Sequence, residues 1–349
     1  MITMKEQWKA FRRENPKVRI RDAARQLHTT EAEILAAFAG SSVMLLNKDF
    51  PGLLQSLPQL GYVMVLTRNE SCVHERKGVF EHVDVKGGHV GLVLGRDIDL
   101  RVFFKSWAFA FAQFADEEAG FKDSIQVFDH QGTAIIKIYL QDSSDRDAFG
   151  RIVRDFSAPV QDHVLHILPA PAPPTYRDDA VNVEAFRQDW AALKDTHEFF
   201  GMLMKHRVSR LHALHIAGDE FARKVSNDAA TEMLNAASAG DWEIMVFVGN
   251  HGNIQIHTGP VSKVMPIPGW INVMDPTFNL HLRLTDIHES WVVYKPTDDG
   301  PVHSLEVYDT KGDMIVQFFG KRKPGVPENA VWQEWIRQLA DMSVISDGE

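Results

Sequence analysis

Apolar and polar residues alternate in two regimes along this chain. Residues 1 to about 40 have helical spacing, with Arg21–Leu27 and Glu31–Phe38 separated by His28-Thr-Thr30, where a threonine can cap the second helix. From about 61 to 141 the period shortens to that of strands. Val90-Gly-Leu-Val-Leu94, Ile98–Phe103 and Ile135–Tyr139 are rich in β-branched and aromatic residues, with hairpin signals at Lys86-Gly-Gly88 and His130-Gln-Gly132. Leu168-Pro-Ala-Pro-Ala-Pro-Pro-Thr175 then predicts an extended linker, because its prolines remove backbone donors. Afterwards the order returns: helices over about 181–239, strands over about 243–320, and a closing helix near 328–342.

The return extends to individual residues. Ser124-Ile-Gln-Val-Phe-Asp129-His-Gln-Gly132 reappears 180 positions later as Ser304-Leu-Glu-Val-Tyr-Asp309-Thr-Lys-Gly312. Asn69 reappears as Asn250, and the pairs Gly88-His89 and Ser106-Trp107 read as counterparts of Gly269-Trp270 and Ser290-Trp291. Two copies at so long a period predict a domain duplication, not a solenoid. The expected fold is α+β: two similar halves, each a helical segment followed by a large antiparallel sheet. The expected boundaries are 1–167 for the first half, 168–180 for the linker and 181–349 for the second half. A junction between similar halves is a natural place for a pocket.

Composition narrows the setting. Apolar residues at 44% and charged residues at 24% describe a globular chain, and the net charge of −10 argues against a general nucleic-acid binder. The start lacks the apolar core of a signal peptide, and Ala108–Ala112 is too short to span a bilayer. The lone Cys72 forms no intramolecular disulfide. These features predict a cytoplasmic protein without membrane insertion. A rival reading is a DNA-binding regulator acting through residues 21–38, but Glu31 and Glu33 would face phosphates unfavourably.

Sixteen histidines make imidazole chemistry the first candidate. Phe186, Trp190, Leu193, His197, Phe200 and Met204 recur at steps of three and four, which predicts one helical face. His197 then reads either as a core histidine hydrogen-bonded to a carbonyl, or as an imidazole presented from an apolar wall to a haem iron. In Asp99-Leu-Arg-Val-Phe-Phe104, strand alternation puts Arg101 and Phe103 on one face. Arg101 is either an ordinary solvated residue or a donor above a haem, too basic to bind iron itself. Arg210, Lys295 and Lys321-Arg-Lys323 could hold carboxylates, although each alone reads as a surface charge. The pairs His163/His166 and His212/His215 lack the partners of a zinc site, and no dinucleotide loop is present.

These stretches together resemble the bacterial cytoplasmic haemin-degrading and haem-trafficking family of the HemS/ChuS type. The resemblance runs through Asn69-Glu-Ser-Cys-Val-His74-Glu, Gly88–Leu94, Leu100-Arg-Val-Phe103, Asp195-Thr-His-Glu-Phe-Phe200, Lys224–Asn227, Glu243–Asn250, Gly269–Asn272, Asn279–Leu282 and Lys295–Gly300. It implies haem b (haemin) as ligand, held between the halves, with His197 on the iron and Arg101 on the opposite side. It further implies that Phe103 and Phe247 pack on the macrocycle, with Arg210, Lys295, Gln317 and Arg322 at its polar edge. Some relatives are thought to use the His74 position for a second haem. Phe319 departs from the pattern, since relatives carry a tyrosine there. The implied role is haem binding in bacterial haem uptake and iron acquisition, delivering haem or degrading it with oxygen and reductant. A haem oxygenase or haem importer would be the partner.

Overall fold

The repeated Asp-x-x-Gly turn folds identically in both halves. Asp129 Oδ1 accepts from the backbone N–H groups of Gln131 and Thr133, and Asp309 Oδ1 accepts from those of Lys311 and Asp313. Gly132 and Gly312 sit at φ of 73° and 79°, a left-handed conformation that only glycine adopts without steric penalty.

The computed structural model of the chain describes residues 2–172, 174–322 and 326–346, with side chains through 340. Pro173 of the expected linker and Lys323 of the basic run therefore lie outside the described residues. The first half runs α1 (Met4–Glu14), α2 (Ile20–Gln26), α3 (Glu31–Ala36), β1 (Val43–Leu46), α4 (Phe50–Ser56), β2 (Gly61–Arg68), β3 (Cys72–Gly78), β4 (Val83–Lys86), β5 (Val90–Leu94), β6 (Asp99–Phe103), β7 (Phe109–Gln113), β8 (Ser124–Phe128), β9 (Ala134–Ser144) and α5 (Arg146–Phe156). The second runs α6 (Val183–Ala191), α7 (Glu198–His206), α8 (Arg210–Ala217), β10 (Ala222–Val225), α9 (Ala229–Gly240), β11 (Ile244–Asn250), β12 (Asn253–Gly259), β13 (Val264–Ile267), β14 (Trp270–Met274), β15 (Phe278–Arg283), β16 (Glu289–Lys295), β17 (Val302–Tyr308), β18 (Met314–Gly320) and α10 (Ala330–Ser346).

Contacts group Met1–Arg68, His74–Pro171 and Gly249–Gln255 into one unit, and Asn69–Val73, Ala172–Val248 and Ile256–Glu349 into the other. Each unit thus holds a short turn contributed by the other half of the sequence. The repeated asparagines shape these turns. Asn69 Oδ1 accepts from the N–H groups of Ser71 and Cys72 while its Nδ2 donates to Ile315 O; Asn250 Oδ1 accepts from Gly252 and Asn253 while its Nδ2 donates to Ile135 O.

In the first unit the strand order β1-β7-β8-β9-β2-β3 is accompanied by the run β4-β5-β6. In the second, β10-β16-β17-β18-β11-β12 is accompanied by β13-β14-β15, the same order strand for strand. Helices cover both faces of each large sheet. In the second unit α9 and α10 bury Met233, Leu234, Trp332 and Ile336 on one face, and α6 to α8 bury Phe186, Trp190, Phe199 and Leu214 on the other. In the first, α4 and α5 pack around Leu53, Leu54 and Ile152, and α1 to α3 around Trp8, Ile34 and Leu35.

Two expected correspondences are corrected by register. Pairing of Val90 with Phe103 and of Trp270 with Arg283 makes Val90 the counterpart of Trp270, because the first hairpin is one residue longer and His89 falls in the extra position. Phe111 is the counterpart of Trp291, since they lie opposite Gln126 and Glu306; Trp107 precedes its strand. The helix-turn-helix reading also fails sterically. Ala32, Ile34, Leu35 and Ala36 of α3 are buried and Glu31 is ion-paired to Lys137, so this helix has no face left for a DNA groove.

Candidate functional site

The helical stripe expected through His197 is interrupted. After α6, the Lys194–Thr196 segment turns, and His197 becomes the N-cap residue of a new helix. The cause is local hydrogen bonding that competes with the helix. Asp195 Oδ1 accepts from the His197 backbone N–H at 2.8 Å, and the Glu198 carboxylate reaches back to the N–H groups of Lys194 and Asp195 at 2.9 and 3.3 Å. The break resets the helical phase. Phe199, Met202 and Leu203 of α7 face the core, whereas Phe200 and Met204 are 68% and 59% exposed.

His197 is correspondingly presented outward, its side chain 90% exposed. Its Nδ1 lies 2.6 Å from Asp195 Oδ1, which as a carboxylate oxygen accepts, so Nδ1 is the donor and Nε2 is the nitrogen left for another partner. His197, Phe200, Gly201 and Met204 recur at helical spacing on the exposed side of α7. A Cβ placed on Gly201 would meet nothing within 4 Å, which leaves this surface low and open beside the imidazole. A nitrogen ligand on an apolar, sterically open face suits a flat aromatic macrocycle carrying a metal.

The cations expected at a carboxylate site do converge, but on an acidic residue that periodicity did not single out. Glu306 is fully buried and accepts from Arg210 Nε at 3.0 Å, Arg210 Nη2 at 2.7 Å, Lys295 Nζ at 3.0 Å, Ser304 Oγ at 3.0 Å, Gln317 Nε2 at 2.9 Å and Tyr308 Oη at 2.5 Å. Burial by itself would raise the Glu306 carboxyl, yet Arg210 and Lys295 together hold it well below the usual carboxylate range. Burial and the Glu306 charge push the Tyr308 hydroxyl well up. Burial lowers the Lys295 ammonium from its ordinary value even with Glu306 beside it, whereas Arg210 remains 28% exposed. The Phe199 ring ties this cluster to α7, lying 4.9 Å from the Arg210 guanidinium carbon and 4.6 Å from Lys295 Nζ.

The neighbouring strands supply an aromatic floor. Phe247 pairs with Gln317 across β11 and β18, and its ring centroid lies 4.9 Å from that of Phe319. The first-half counterpart of Phe319 is Tyr139, because Ser124 and Ser304 face them in equivalent register. Arg322 lies close enough to Asp195 to help hold its carboxyl below the ordinary range, after the larger effect of the His197 backbone N–H.

The other expected residues belong to the first unit. Asp99, Arg101 and Phe103 are half-buried on one face of β6, while Leu100 and Val102 point into the core. Arg101 is ion-paired to Asp99, whose carboxyl is raised by burial against the opposing pull of that guanidinium. His74 is fully buried, so its imidazole is not displayed on a surface as His197 is.

The residues that sequence reading passed over are Asp195, Gly201, Glu306 and Tyr308. A carboxylate two residues before a histidine was a usable signal. Glu306 was detectable as a charge replacing Gln126 between two apolar residues at the midpoint of the repeated strand segment.

The haemin-degrading HemS/ChuX domain matches residues 28–156 and again residues 207–339. The hemin transport protein HemS of Yersinia enterocolitica is 38% identical over 343 residues, covering 97% of this chain and 98% of its own length. The crystal structure of holo-PhuS, a heme-binding protein from Pseudomonas aeruginosa, matches with a TM-score of 0.94 at 44% identity over 96% of this chain and 98% of that one. ChuS, an E. coli heme oxygenase, matches with a TM-score of 0.86 at 36% identity over 96% of this chain and 99% of that one. With two domain matches at equivalent places in its two halves, the chain belongs to the haemin-degrading HemS/ChuX family.

Proposed function

We propose that this chain binds haem in bacterial iron acquisition, with His197 as the iron ligand. The observation that carries the reading is the exposed His197 imidazole, its Nδ1 committed to Asp195, beside the open face of Phe200, Gly201 and Met204. Haem is cargo or substrate here. The apolar face of α7 and the half-buried Phe247 would cover the macrocycle, and Arg210, Lys295, Gln317 and Arg322 would receive its propionates. Glu306 already accepts from Arg210, Lys295 and Gln317, so a propionate would share these donors with it.

Titrating purified protein with haemin tests this directly. A saturating Soret band at one equivalent is expected, and its absence would refute the assignment. Arg101 is proposed as the donor on the side of the iron opposite His197, with Phe103 beside it. Such a donor leaves that side open to small molecules and favours some oxygen- and reductant-dependent breakdown of haem. Supplying reductant in the presence of catalase separates the two roles. A single regiochemical product with iron release identifies an oxygenase. Mixed products, or full suppression by catalase, leave haem carriage as the better reading, with a haem importer and a separate haem oxygenase in the cytoplasm as the proposed partners.

A further inference from the structure

We propose that Asp195 is a positioning residue that makes His197 an electron-rich iron ligand and biases bound haem toward the ferric state. This inference rests on the reading of His197 as the iron ligand. A single carboxylate oxygen, Asp195 Oδ1, accepts from both the His197 backbone N–H at 2.8 Å and Nδ1 at 2.6 Å. The first bond locks the carboxylate to the backbone of the residue it serves, and the second sets the ring's tautomer. The loop has little freedom to relax: Glu198 accepts from the successive N–H groups of Lys194 and Asp195, and the Asp298 N–H donates to Lys194 O at 3.0 Å. A turn-forming role alone would require only the backbone bond. The bond to Nδ1 does something further.

An imidazole that donates to a carboxylate gains basicity and partial negative charge at its other nitrogen, and so donates more strongly to a metal. That charge stabilises the trivalent iron over the divalent. The same arrangement fixes Nε2 as the ligating atom, since Nδ1 is occupied. Haem kept ferric reacts with oxygen only after reduction, so Asp195 suits a protein that carries haem safely until a reductant or recipient is present.

Asp195→Asn separates the two roles, because the amide oxygen still accepts from the His197 backbone N–H while the charge at Nδ1 is gone. In the full chain loaded with haemin, the ferric-over-ferrous preference should fall about tenfold, which raises the one-electron midpoint potential by about 59 mV. Haemin affinity should weaken about tenfold, at the lower end for loss of such a partner. Asp195→Glu should recover part of both. An unchanged potential in a folded Asp195→Asn protein overturns the inference while leaving the iron-ligand reading intact. A wild-type spectrum for His197→Ala overturns that reading instead. If Asp195→Asn does not fold, nitrogen-15 NMR of the unsubstituted apoprotein decides: a proton on Nδ1 of His197 is expected, and the opposite tautomer sinks the proposal.

Discussion

Glu31 and Arg210 are the same position in the two halves with opposite charge. Each is the first residue of a short helix whose cap is a hydroxyl, Thr30 or Ser209, and each ion-pairs with the sheet beneath it. Glu31 takes Lys137, the counterpart of Gln317, and Arg210 takes Glu306, the counterpart of Gln126. Duplication preserved the geometry while the charges exchanged sides. The first half also has Val18 near the place where the second has His197, so the two clusters are not interchangeable ligand sites.

The two buried pairs should respond to opposite ends of the pH scale. Glu306 is held well below 4.5, so its contribution is complete above that value and is lost as pH falls through the folded-state value. Lys137, despite burial, is raised above 10.5 by Glu31, so its contribution is complete below 10.5 and is lost as pH rises further. Glu306→Ala should destabilise by about 3–5 kcal/mol near neutrality, because it strands the buried Lys295 and leaves the partly exposed Arg210 without its carboxylate. Denaturant unfolding across pH measures this, and an acid limb unchanged by the substitution would count against Glu306 as the hub.

Replacing His197 should remove the principal anchor of haem. His197→Ala is expected to weaken haemin binding and shift the absorption spectrum, whereas His74→Ala should leave the main-site spectrum as it was. Titrations of both variants side by side provide the comparison, and a wild-type curve for His197→Ala would falsify the assignment.

Arg101 should tune the site more than it holds the ligand. A hydrogen bond from a charged donor contributes about 1.5–3 kcal/mol, less than an axial bond to iron. Arg101→Ala is therefore expected to bind haemin still, with an altered pH-dependent spectrum or altered reaction with oxygen. Identical spectra and reactivity would remove Arg101 from the site.

Gly201 offers a test that separates folding from binding. It lies inside α7 with open space over its Cα, so Gly201→Ala should stabilise the chain by about 0.5–1 kcal/mol. Gly201→Leu should fold equally well yet lower haemin affinity at least about tenfold, by raising a side chain on the proposed contact face. Thermal melts with haemin titrations read both quantities. Undiminished affinity for the leucine variant would mean that haem does not approach this face.

The duplication, the succession of helices and antiparallel strands, and the alternation of Arg101 and Phe103 were legible because they are local or periodic. A turn of Asp-x-x-Gly writes its own geometry through side-chain bonds to nearby backbone, and strand alternation depends only on the pleat. Helical periodicity placed His197 in a buried stripe and was wrong in detail, since Asp195 and Glu198 offered the backbone a better set of bonds than a continuous helix.

The sequence by itself determined an α+β chain built twice, the family it resembles, and the histidine worth testing. Only the tertiary structure decided that His197 stands exposed at a helix start, that Arg210, Lys295 and Gln317 meet on Glu306, and that α3 is buried beyond reach of DNA. The physical reason is range. Periodicity and turn chemistry act between residues a few positions apart, whereas Arg210 and Glu306 are 96 positions apart and meet only because sheet register and helix packing bring a guanidinium and a carboxylate out of water together.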